Sequence, residues 1–286
     1  QIHEKLKLHN FFYNLISKSK SYNKVKYSIK YISFVHGREK CVKISDNNWL
    51  SIKGCGWVFG PPTIYYSKKD PLFFGILEQS SALREFKVSK ILNSKFKNLF
   101  AKCVEIINYK KIDLEQEFNI SLPKNFKPSL LIRRVSSPYR LEDISIIQGR
   151  NYAKISFIKK FGKNELSIKN FQKKLLITIL KYHSLGCIND SLEWNNVTTH
   201  GEIIDLELFK HPKVKLGKNQ SKFNFSDKSR IEKEVIYFLE IIYKLREILG
   251  YKKSIKDISL SCINLVPKQF KTMYFSKILY KISKMK

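Results

Sequence analysis

Asn196 and Asp205 stand nine positions apart on either side of a turn signal, His200-Gly201, within the run Ser191 to Glu207. Folding back across that turn would bring an amide oxygen and a carboxylate together. Hard oxygen donors of this kind suit Mg²⁺ or Mn²⁺ carrying a nucleotide's phosphates. The segment after the turn, Ile203-Ile204, is apolar and reads as a short strand that delivers Asp205. A metal-bound nucleotide also needs cations for its phosphates, and two further places in the chain offer them.

The first is Lys53, followed directly by Gly54, Cys55 and Gly56. Glycines after a strand let backbone N–H groups approach an anion, and a lysine beside them adds charge. Solvation alone also accounts for a lysine at a strand end. The second is the arginine group Arg133, Arg134 and Arg140, which follows the apolar run Ser129 to Ile132. A carboxylate completes the set. Glu85, Val88 and Leu92 fall at i, i+3 and i+7 of a helical stretch, which puts an acid on an apolar stripe. An unpaired charge there is costly, so Glu85 needs a cation, with Lys53 the candidate and a neighbouring lysine the alternative.

The elements that must position these groups can be read in outline. Residues 2–18 suit a short basic amphipathic helix. Val25 to Tyr31, Cys41 to Ile44 and Trp49 to Lys53 read as three strands of an antiparallel meander, with turns at His36-Gly37 and Asp46-Asn47-Asn48. Residues 57–79, punctuated by Pro and Gly, read as a long loop. A helix capped by Ser80 or Ser81 runs to about Phe96. Ser129 to Val135 reads as a strand, and Ala153 to Ile158 as a second β segment. From Ile168 the period is helical, with Phe171, Leu175, Ile179 and His183 on one face and a stop at Gly186. His183 reads as a packing residue at a helix end. Residues 210–225 read as a mobile surface loop. A long helix then runs from a cap at Ser226 or Asp227 to Gly250, and shorter helical pieces close the chain. The expected fold class is α+β: a small antiparallel β lobe (25–135, with the Glu85 helix) and a mostly helical lobe (136–286) after a basic extension (1–24). That order is the two-lobe plan of the protein-kinase fold.

Four motifs in this order resemble the selenoprotein O family of kinase-like proteins. Leu50 to Gly56 is similar to its L-K-G-x-G strand end, and Ser80 to Phe86 to its S-x-[IL]-R-E-[FY] helix. Leu131 to Arg140 is similar to its L-x-R-V-A-P-S segment, and the nine-residue Asn196–Asp205 spacing matches it where ordinary protein kinases have a longer interval. The resemblance covers roughly residues 50–209. It implies that Lys53 holds phosphate, Glu85 orients Lys53, and Asn196 and Asp205 hold the metal. It implies also that Arg134 and Arg140, with Arg133 a competitor, stabilise phosphates of a reversed ATP. The activity it implies is transfer of AMP from Mg-ATP to a hydroxyl, most simply of a protein. Phosphoryl transfer by a divergent kinase and a catalytically inactive scaffold are the alternatives.

The chain departs from that pattern at the general base. The family has Asp immediately before the metal-binding Asn; here the position is Asn195, which cannot accept the proton. Asp190 or Glu193 would substitute only if the loop swung one of them inward. The arginines are six residues apart rather than seven, and the chain is much shorter than a typical member.

Composition sets the outer limits. The chain has 286 residues, 43% of them hydrophobic, enough for a sizeable core. No apolar run reaches the roughly 18 residues of a membrane span, and residues 1–24 lack a signal-peptide core, so a cytoplasmic protein is expected, with secretion by a signal-less route left open. Five scattered cysteines without a C-x-x-C pair suggest neither zinc nor disulfides. Lys+Arg 54 against Asp+Glu 24 gives +30. A field of that size attracts nucleic acid or an acidic partner. An AT-rich coding sequence would produce the same bias, because the lysines are spread among many Ile, Asn, Tyr and Phe.

Overall fold

The structure, a computed structural model, describes residues 39–54, 63–66, 71–74, 77–108, 125–146, 150–212, 214 and 228–285. The expected extension 1–24, the strand at Val25 to Tyr31, Gly56, the caps Ser226 and Asp227 and most of the 210–225 loop lie outside the described residues. The chain forms two compact units. One comprises Gln1–Lys90 with Ala101–Pro138, the other Ile91–Phe100 with Tyr139–Lys286. The architecture is α+β: a small antiparallel sheet and several helices.

In the first unit β1 (Glu39–Ser45) and β2 (Asn48–Lys53) form a hairpin whose tight turn includes Asn47 at φ 56°. The neighbour of β2 on its other side is β7 (Pro128–Val135), paired from Trp49↔Val135 to Lys53↔Leu131. The same strand pairs β6 (Lys102–Asn108) and, near its start, the two-residue β5 (Leu77–Glu78). β7 is therefore the central strand, which explains its continuous apolar burial from Leu130 to Ile132.

Helix α1 (Gln79–Lys95) covers the sheet through Ala82 and Phe86, which pack with Leu77, Cys103, Leu131 and Ile106. It starts at Gln79, so Ser80 and Ser81, the expected caps, lie inside its first turn. Its expected stripe, Glu85, Val88 and Leu92, is wholly buried.

Two expectations are corrected. The proposed loop at residues 57–79 contains a hairpin of its own, β3 (Thr63–Tyr66) with β4 (Pro71–Phe74), followed by β5. Of the Pro and Gly that suggested a loop, Pro71 is the first residue of β4. The proposed β segment at Ala153 to Ile158 is helix α2 (Arg150–Phe161). Its alternation Ala-Lys-Ile-Ser-Phe-Ile imitates a strand, but the buried residues are Ala153 and Phe157, four apart, which is the helical period.

The second unit is helical apart from a two-strand ribbon. Helix α3 (Glu165–Ser184) begins at Asn164, whose side chain accepts from the Ser167 amide, and is followed by Gly186 at φ 73°. Its buried face includes Phe171, Leu175 and Ile179. Strands β8 (Ile188–Asn189) and β9 (Phe209–Lys210) pair antiparallel. Helix α4 (Lys228–Ile248) buries Val235, Phe238, Leu239, Ile242 and Leu245. Helices α5 (Ile255–Leu265) and α6 (Tyr274–Ser283) complete the unit.

Candidate functional site

In the first unit, strand parity assembles a charged triad. Residues two apart on a strand share a face, and directly paired residues on neighbouring strands do too. Ser51 and Lys53 of β2 lie opposite Arg133 and Leu131 of β7, so Ser51, Lys53 and Arg133 share one face of the sheet. Glu85 reaches them from α1. Its Oε2 accepts from Lys53 Nζ at 3.1 Å, and its Oε1 from Arg133 Nη1 at 2.9 Å. Arg133 Nη2 donates to Ser51 Oγ at 3.2 Å. Glu85 and Arg133 are fully buried, whereas the Lys53 side chain keeps 13% of its surface exposed. The triad carries a net charge of one cation, and Lys53 is its accessible end.

The helix that carries Glu85 is itself fastened. Ser89 Oγ donates to the Ala101 carbonyl and accepts from the Cys103 amide, both at 2.8 Å, which ties α1 to the start of β6. Burial among these groups pushes the Cys103 thiol up to about 12, with the Glu85 charge adding to the effect. A neutral thiol there is a packing group and no nucleophile.

The arginines divide differently from the expected assignment. Arg133, expected only as a competitor for phosphate, is internal and bound to Glu85. Arg134 points to the opposite face of β7 and is exposed. Arg140, in the second unit, is mostly buried, and its Nη1 donates to the Asn195 backbone carbonyl at 2.8 Å. Its local role is to hold the loop that bears Asn196. Gly54 also has a structural reason. It has φ 88°, and a Cβ there would lie 2.7 Å from both Leu77 Cβ and the Ser129 carbonyl oxygen. The chain leaves β2 where β5 takes its place beside β7, and only glycine fits.

In the second unit, the expected fold-back around His200-Gly201 is present. The Gly201 amide bonds the Thr198 carbonyl, Thr198 bonds Glu202, and Val197 bridges Ile203. The Ile204 amide donates to the Asn196 carbonyl at 2.9 Å, so Asn196 is bonded to the residue just before Asp205. No regular strand delivers Asp205. It follows single bridges of Ile203 to Val197 and Phe100, and its own backbone is left-handed, at φ 57° and ψ 65°. Asp tolerates that conformation better than most residues, and such backbone is enriched at functional sites.

Neighbouring groups hold the Asn196 amide and reach the backbone at Asp205. Asn196 Nδ2 donates to the Ser191 carbonyl at 2.9 Å, which leaves Oδ1 as the ligand atom of the amide. Ser191 Oγ lies 3.0 Å from Asn189 Oδ1 and 3.5 Å from the Asp205 carbonyl. An amide oxygen with its nitrogen committed and a carboxylate across the same turn form a donor set whose chemistry fits a hard divalent cation.

The residues considered for the base differ in their surroundings. Asn195 forms part of the short 3₁₀ turn Trp194–Asn196, and its Oδ1 is buried with no hydrogen-bond partner among the described residues. Asp190 is ion-paired to Lys210 and Arg230. Glu193 is exposed.

The sequence reading missed Glu234. This carboxylate is buried on α4 and accepts from Tyr182 Oη at 2.5 Å, His183 Nε2 at 2.6 Å and the Asn189 amide at 2.8 Å. Burial and the Glu234 charge drive the Tyr182 hydroxyl well above its ordinary value. The available signal was the one that singled out Glu85: an acid in register with apolar residues, here Phe238 and Ile241 at i+4 and i+7. His183 packs edge-on against Phe275, as expected of a helix-end packing residue, and is polar-bonded as well.

No protein-family model matches the chain, and no curated protein is significantly similar to it. Among the described residues, no helix is long and apolar enough to cross a membrane.

Proposed function

We propose that the chain is an ATP-dependent transferase with a kinase-like fold, moving AMP from Mg-ATP to a hydroxyl of an acceptor, most simply a protein. The observation that carries the reading is the Lys53–Glu85 pair. A fully buried carboxylate on a helix holds a partly exposed lysine at the end of a strand, an arrangement suited to presenting an ammonium to phosphate. Glu85 orients Lys53, and Arg133 secures the other Glu85 oxygen, so the ammonium is held to one carboxylate oxygen. Asn196 and Asp205 would hold the divalent cation, which supplies neutralisation of phosphate charge.

In AMP transfer the acceptor oxygen forms a bond to the α-phosphorus, its proton passes to water, and pyrophosphate leaves with the electron pair of the broken P–O bond. Positioning and charge neutralisation dominate such reactions. A general base contributes about 10²–10⁴-fold, so a site without one is slowed and still competent. The second reading, an ATP-binding scaffold without catalysis, draws on Asn195 and on the ion-paired Asp190.

ATP labelled at the α- or γ-phosphate separates the readings when incubated with the chain and a mixture of acceptor proteins. Covalent α-label supports AMP transfer. Label from the γ-position alone means a kinase, and bound ATP with neither label means the scaffold. Loss of α-label in Lys53→Ala is required; label that persists there overturns the assignment.

A further inference from the structure

We infer that Asn189 is a positioning residue for both metal ligands, acting through Ser191. The inference rests on the proposed metal site and goes beyond it, because Asn189 touches neither ligand. Asn189 Oδ1 accepts from the Ser191 amide at 3.1 Å and faces the Ser191 hydroxyl at 3.0 Å. The two ends of Ser191 then lead to the two ligands. Its carbonyl accepts from Asn196 Nδ2, and its hydroxyl is within 3.5 Å of the Asp205 carbonyl. One side-chain oxygen thereby sets a residue that fixes the amide of Asn196 and reaches the left-handed turn at Asp205.

The anchor behind Asn189 is rigid. Its amide donates to Glu234 of α4, and the same carboxylate holds Tyr182 and His183 at the end of α3. On the other side β8 is paired to β9 through Asn189↔Phe209. Asn189 is fully buried, and its Nδ2 has no hydrogen-bond partner among the described residues. The side chain is therefore used as an acceptor only, aimed at Ser191. Groups that orient metal ligands without touching the metal alter affinity by about 10–100-fold when removed.

The test is Mn²⁺ binding to the full chain in the presence of ATP, with free Mn²⁺ read by electron paramagnetic resonance and the melting temperature recorded for each variant. Asn189→Ala removes both contacts to Ser191 and should raise the apparent Mn²⁺ Kd by about tenfold or more. Ser191→Ala removes the hydroxyl alone and should give a smaller rise. Ser191→Thr restores the hydroxyl and should return toward the wild-type value. A lower melting temperature with unchanged Kd overturns the inference, since a merely structural residue would behave that way. If Asn189→Ala does not fold, the Ser191 pair decides, and equal affinity of the two variants overturns it. Absence of Mn²⁺ binding in the wild-type chain removes the metal site itself, and the relay falls with it.

Discussion

The Lys53–Glu85–Arg133 triad and the Asn189–Ser191–Asn196–Asp205 loop hold functional groups by opposite means. The triad uses three charges, two of them fully buried, on a sheet and a helix. The loop relies mainly on amides, a hydroxyl and backbone carbonyls, with the Arg140 guanidinium on the Asn195 carbonyl and a left-handed residue at its end. In the triad, geometry and stability are the same interaction, because each charge needs its partner to remain buried. In the loop the geometry comes from many individually modest bonds, so removing one of them should cost the fold little.

Breaking the triad should therefore have the largest effect on stability. Glu85→Ala removes the buried carboxylate that faces both Arg133 and Lys53, and loss of about 3–5 kcal/mol is expected in denaturant unfolding. The double variant Glu85→Leu with Arg133→Met replaces the buried pair with apolar groups and should recover most of that loss. It should not recover transfer, because Lys53 is no longer oriented. If Glu85→Ala unfolds at the wild-type midpoint, the triad is not the keystone of the first unit.

Gly54→Ala probes the same corner without touching a charge. With φ at 88° and two atoms 2.7 Å from the new Cβ, the strand exit must distort, costing about 2 kcal/mol or more. Since Lys53 directly precedes it, ATP affinity should fall along with stability. An unchanged melting temperature would mean that β5 yields easily beside β7.

The pH response belongs to the second unit. His200 is buried at the turn between Asn196 and Asp205, close to Lys160 and Lys174, and desolvation with those two cations lowers its pKa from 6.5 to about 4. A backbone hydrogen bond with Ser156 opposes this weakly. The native state keeps the ring neutral while the unfolded chain binds a proton below about pH 6.5. Stability should then fall as pH drops from 6.5 toward 4, by about 2 kcal/mol between pH 7 and pH 5. Comparing urea midpoints at the two pH values for wild type and His200→Asn isolates this contribution, since the variant should lose most of the slope.

The contrast between the two regions also governs what the sequence revealed. Glu85, Val88 and Leu92 mark a helical stripe, and Lys53 ends an alternating strand, so the central ion pair follows from periodicity and the cost of a buried charge. Arg133 and Arg134 could not be ranked that way. Leu130, Leu131 and Ile132 are all apolar because β7 is central, and a strand buried on both faces carries no alternation to show which arginine faces the helix. Pairing with Ser51 decides it. The turn at His200-Gly201 was legible from its residues. The roles of Asn189 and Ser191 were not, because a short polar side chain has many possible partners and tertiary register selects among them.

Asp205 gives the smallest expected change in stability and the sharpest test of the comparison. Asn tolerates left-handed backbone as Asp does and has nearly the same volume, so Asp205→Asn should unfold within about 1 kcal/mol of wild type. It nonetheless exchanges a charged oxygen donor for an amide, and a hard divalent cation binds the carboxylate more strongly. Mn²⁺ affinity and α-label transfer should both fall sharply while the unfolding midpoint stays put. Glu85→Ala should lose stability and transfer together, whereas Asp205→Asn should lose transfer alone. A large loss of stability in Asp205→Asn would mean that its carboxylate is a structural ion-pair partner like Glu85, and the two regions would then share one design.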